Sequence, residues 1–149
     1  MQNDKAVSVL NTLIETCKDG EQGFRTAADA LTDTSIKSKF EQYSSERGAM
    51  ARELQDEVRK LGGDPEQTGS VAASVHRGWI NITAAVSGRD DHAIVAEAER
   101  GEDVAKHAYE DALKEPLPAT AQPVVQRQAS RVRQAHDDVK ALRDVGAKM

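Results

Sequence analysis

Glu21, Glu46, Glu102 and His136 fall at matching depths in four successive amphipathic segments. Glu21 lies between Cys17 and Phe24, Glu46 between Tyr43 and Met50, Glu102 between Ala98 and Ala105, and His136 between Val132 and Val139. Offsets of three and four residues place side chains on one helix face, so all four polar groups border the apolar seam. Carboxylates and an imidazole meeting at one level are the donors that hold a cation such as iron or manganese. They are costly to bury without a partner, and a metal or an arginine could provide the compensating charge. For any one of these glutamates taken alone, a solvated place at the seam edge is the plain alternative.

The levels follow from the elements that carry them. Apolar residues from Ala6 to Leu31 recur at helical spacing and predict a first helix over about Asp4 to Leu31. Thr32, Asp33 and Thr34 supply capping side chains for a second helix, which runs through Phe40, Tyr43, Met50, Leu54 and Val58 and stops at Gly62-Gly63 before Pro65. A shorter pattern from Val71 to Val86 predicts a helical crossover ending at Ser87-Gly88. A third long helix spans about Asp90 to Leu113, ended by Pro116 and Pro118, and a fourth begins near Thr120, tolerates Pro123 in its first turn and continues through Leu142. Short links pair helices one with two and three with four, and the long segment between the hairpins makes one crossover. Glu21 and Glu46 are equidistant from the first turn. Glu102 and His136 agree in height to within one turn at about 1.5 Å per residue.

Composition sets the remaining bounds. One domain over residues 1–149 is expected from the length. With 3% aromatic residues, the core must be built from Ala, Val, Leu and Ile, which suits an all-α fold. Acidic and basic residues, 25 and 20 in number, interleave without a basic stripe, which argues against a nucleic-acid partner. No apolar run reaches the roughly 18 residues of a membrane span, and residues 1–11 lack a secretory plan, so a cytoplasmic location is expected. Cys17, the only cysteine, excludes an internal disulfide and a thiolate zinc cage, and reads as a small buried hydrophobe. His92 and His107 read as surface residues. His76 and Trp79, one turn apart in the crossover, could line a contact with the bundle or a second subunit, with core packing the simpler role for Trp79. Neither a nucleophile elbow nor a phosphate-binding Gly-x-x-x-x-Gly-Lys loop is present, which removes hydrolase and nucleotide-triphosphatase readings.

Glycines crowd the polar level: Gly20 and Gly23 around Glu21, Gly48 after Glu46, Gly101 before Glu102. An interior helical glycine costs about 1 kcal/mol against alanine. Close helix approach, a bulge or room for a large neighbouring side chain would each account for it.

The stretches Leu13–Phe24, Glu53–Gln55 through Leu61–Pro65, His76–Trp79 and Glu99–Asp103 resemble a bacterial family of ferritin-like four-helix bundles of unknown function, over nearly the whole chain. The resemblance implies a ferritin-like up-down four-helix bundle with one long crossover containing a short extra helix. It also implies a stress-associated role and a homo-oligomer. The ferritin-like di-iron pattern takes one glutamate from each of two helices and Glu-x-x-His from the other two. Glu21 and Glu102 match the lone glutamates, Glu46 and His136 match half of each Glu-x-x-His, and Ala49 and Arg133 stand where the other halves should be. The resemblance therefore implies a degenerate site. Either Arg133 replaces the metal charge among the glutamates in a non-enzymatic protein, or Glu21, Glu46, Glu102 and His136 still hold a single iron or manganese.

Overall fold

The computed structural model describes residues 2–65, 79, 82–88 and 90–147. Four long helices, α1 (Gln2–Ala30), α2 (Thr34–Lys60), α4 (Asp91–Leu113) and α5 (Gln122–Ala147), form a bundle, and a short helix, α3 (Ile82–Ser87), precedes α4. The predicted all-α bundle with a crossover helix is the observed architecture. The part of the crossover pattern from Val71 to Gly78, with His76, lies outside the described residues.

Local chemistry sets the helix ends. Asp33 caps α2, its carboxylate accepting the Ser35 and Ile36 amides at 2.9 and 3.2 Å. Gly62, at φ +81°, closes α2, and the Gly63 amide donates back to the Val58 carbonyl at 3.1 Å. Asp90 caps α4 by accepting the His92 amide at 3.0 Å. The first residue of α4 also ties the two hairpins together. One Asp91 carboxylate accepts the Thr32 and Asp33 amides and the Thr32 hydroxyl, each at 2.9 Å.

Cross-helix pairs give the topology. Between α1 and α4, Thr32 meets Asp91 and Cys17 meets Tyr109; between α2 and α5, Tyr43 meets Asp138, Glu46 meets Arg131 and Met50 meets Gln128. In each set one number rises as the other falls, so both pairs of helices are antiparallel. The helices on the α2–α4 diagonal are consequently parallel, as the long crossover requires.

Two clusters of buried apolar residues fill the interior. One is built around Leu10, Leu13, Ile14, Leu54 and Val58, the other around Phe24, Phe40, Ile94 and Val139. Trp79 enters the second cluster, packing its indole edge-on to Phe24 with centroids 5.0 Å apart. A side chain at either Gly23 or Gly101 would collide with that indole, so these two glycines form a notch between α1 and α4 that receives it.

Candidate functional site

A buried ion pair occupies the centre of the bundle, across the α2–α4 diagonal. The Arg47 guanidinium binds the fully buried Glu102 carboxylate at both oxygens, Nη1 to Oε1 at 2.6 Å and Nη2 to Oε2. Arg47 is itself 3% exposed, and its guanidinium carbon lies 5.5 Å from the centre of the Phe24 ring. Burial alone would weaken the arginine's charge. The Glu102 carboxylate outweighs that effect by charge and hydrogen bonding and holds the guanidinium above its usual range. Gly20 explains how so large a head fits, because a side chain there would press on the Arg47 guanidinium.

A hydrogen-bonded chain runs beside this pair. The Cys17 thiol lies 3.1 Å from the Tyr109 hydroxyl, which donates to Gln128 Oε1 at 2.7 Å. Gln128 Nε2 donates to the Met50 carbonyl at 3.3 Å and to Glu53 Oε1 at 2.8 Å. Glu53 closes the chain on Arg127. Burial pushes the Cys17 thiol up to about 11 and Tyr109 well above its ordinary range, so both stay protonated at neutral pH.

The four predicted site residues face different parts of the bundle. Glu102 is central. Glu46 turns to the α2–α5 seam, where Arg131 Nη2 donates to both its oxygens at 2.7 and 2.8 Å. Glu21 is half-buried on the α1–α2 flank, its carboxylate over Gly48, in a depression shared with Arg25, Ser44 and Arg52. His136, 5% exposed, faces the α4–α5 seam. Arg133, expected to replace the metal charge, is exposed. The physical reason is rotation: it follows buried Val132 by one residue, and one step turns a side chain about 100° around the helix. The guanidinium at the bundle centre is that of Arg47.

The iron-site pattern does not fit this centre. Its space is filled by a permanently charged guanidinium, and Glu102 has both oxygens committed to it. Among the described residues, one group of three or more His, Cys, Asp or Glu side chains brings donor atoms within 4.8 Å of one another: Glu99, Asp103 and His136. His136 Nε2 is 2.9 Å from Asp103 Oδ1 and 3.5 Å from Glu99 Oε1, and Nδ1 is 3.1 Å from Asp137 Oδ1. Arg143 Nη1 donates to the other Glu99 oxygen at 3.0 Å. An acidic pair at i and i+4 facing a histidine on the next helix is a sequence signal distinct from the Glu-x-x-His spacing.

A separate groove of about 710 Å³ runs between α1 and α4, with Val9, Thr16, Trp79, Val104 and His107 on its walls and Asp103 at its edge. Among the described residues, no helix is long and apolar enough to cross a membrane.

The shape is that of a known fold. A point mutant of the Dps1 protein of Mycobacterium smegmatis superimposes with a TM-score of 0.82, covering 95% of this chain and 97% of that one at 14% identity. No curated protein matches the sequence. Residues 5–115 match the family described as a domain of unknown function, DUF2383, so the chain is a member of that family on a ferritin-like fold.

Proposed function

We propose that this protein is a non-enzymatic ferritin-like bundle with a structural or interaction role, its ancestral metal layer replaced by the Arg47–Glu102 ion pair. The observation that carries the reading is the pairing of the one fully buried glutamate of the predicted set with a guanidinium. Cation and arginine compete for the same carboxylate, and the arginine is covalently part of the chain. The alternative, a single iron or manganese held by Glu21, Glu46, Glu102 and His136 for redox work, draws no support from the arrangement, in which Glu46 and Glu102 bind arginines and Glu21 stands on another flank. Self-association and the stress association implied by the resemblance belong to the same proposal. Val104, exposed on the wall of the α1–α4 groove, is an apolar position at which self-association can be probed.

The test is aerobic oxidation of ferrous iron by the full chain. The proposal predicts a rate equal to that of protein-free buffer. Oxidation accelerated tenfold or more, and lost in Glu102→Gln, would contradict it.

A further inference from the structure

The α4–α5 seam carries a second set of ligand-type side chains, which the central ion pair does not use. His136 is the key to it. Both ring nitrogens face carboxylates: Nδ1 faces Asp137, and Nε2 faces Asp103 and Glu99. A neutral imidazole has one donor and one acceptor nitrogen, and an ionised carboxylate cannot donate. In the tautomer that carries the proton on Nδ1 and donates it to Asp137, Nε2 presents its lone pair to the Asp103 and Glu99 oxygens, and one cation bound there would satisfy all three donor atoms at once.

We propose that Glu99 Oε1, Asp103 Oδ1 and His136 Nε2 bind one divalent transition-metal ion of the zinc type, with water completing the shell. Metal–ligand bonds of about 2.0–2.2 Å in a tetrahedral shell place neighbouring donor atoms roughly 3.3 Å apart. The observed separations of 2.9 and 3.5 Å from Nε2 bracket that value. The supporting contacts also match. Asp137 faces Nδ1 from behind, the place of the outer carboxylate in a carboxylate–histidine–metal arrangement. Arg143 holds Glu99 by its other oxygen and leaves Oε1 free to coordinate. Asp103, with its side chain 50% exposed, opens the site to solvent for ion entry. One nitrogen and two carboxylate oxygens suit zinc, manganese or ferrous iron better than calcium, which takes oxygens alone. The site lies outside the bundle centre, and Glu99 and Asp103 belong to neither half of the di-iron pattern.

Cobalt titration of the full chain, purified without a nickel column and stripped with a chelator, tests the assignment. The expected result is one Co²⁺ bound per chain with a saturable visible absorption band that Zn²⁺ displaces. Asp103→Asn, at a half-exposed position where the fold should survive, weakens binding at least tenfold, and His136→Gln abolishes the band. Absence of a saturable band in the wild type would overturn the proposal, as would Co²⁺ binding of unchanged affinity in a folded Asp103→Asn variant.

Discussion

Cys17 illustrates how burial silences a reactive group. Its thiol sits in the core against the Tyr109 hydroxyl, and burial raises it to about 11, against which the Tyr109 hydrogen bond and the Arg47 charge act only in part. Thiolate, not thiol, is the nucleophile. A thiol reagent should therefore modify native protein at neutral pH at least a hundredfold more slowly than protein unfolded in guanidinium; equal rates would place Cys17 at the surface. The burial of Cys17 was legible in the sequence from its apolar neighbours, whereas the central ion pair was not. The gap of seven between Tyr43 and Met50 admits either Glu46 or Arg47 on the inner face, since both stand three or four residues from each neighbour. In the first helix the gap between Cys17 and Phe24 likewise admits Gly20 or Glu21. In each case the structure turns the inner position to the residue before the expected one in α1 and after it in α2. Which residue wins depends on Glu102 across the diagonal, a contact 55 residues away in sequence.

Burial pushes the Asp91 carboxylate up, but three hydrogen bonds from the α1–α2 turn together outweigh it and hold the group below its ordinary range. A carboxylate depressed in the folded state adds stability above its unfolded value, about 3.9, and that stability is lost as pH falls through the folded value. Asp91→Asn should cost about 1–2 kcal/mol at pH 7 by denaturant melts. The difference from wild type should shrink as pH falls below the unfolded carboxylate value of about 3.9, and a gap independent of pH would refute the clamp. The Trp79 notch answers the question left by the glycines. Gly101→Ala should cost about 1–3 kcal/mol through overpacking and shift the emission of the single tryptophan to the red. An unchanged spectrum and melting temperature would show that the indole is not seated there. Helix boundaries and pairing were readable because capping side chains, glycines and prolines are local signals. The Asp91 clamp was not, because it joins elements 59 residues apart.

For the whole molecule, helix spacing leaves azimuth open. Glu21, Glu46, Glu102 and His136 are expected at one level from the fixed rise per residue. Their directions spread over the α1–α2 flank, the α2–α5 seam, the centre and the α4–α5 seam. A helix with residues both apolar and polar at seam spacing does not declare which of two neighbours faces inward. Self-association has its own check. Sedimentation velocity should give a species larger than the 16.2 kDa chain. Val104→Glu should shift it toward monomer, and a monomeric wild type would refute the assembly.

The most direct measurement is a denaturant comparison of wild type, Arg47→Met, and the double variant Arg47→Met with Glu102→Leu. Removing one member of a buried pair strands the other charge and costs about 3–5 kcal/mol, whereas replacing both by apolar side chains of similar volume is often neutral or stabilising. A large loss is expected in the single variant and its recovery in the double. A single variant as stable as wild type, or a double variant no better than the single, would contradict an ion pair at the centre of the bundle.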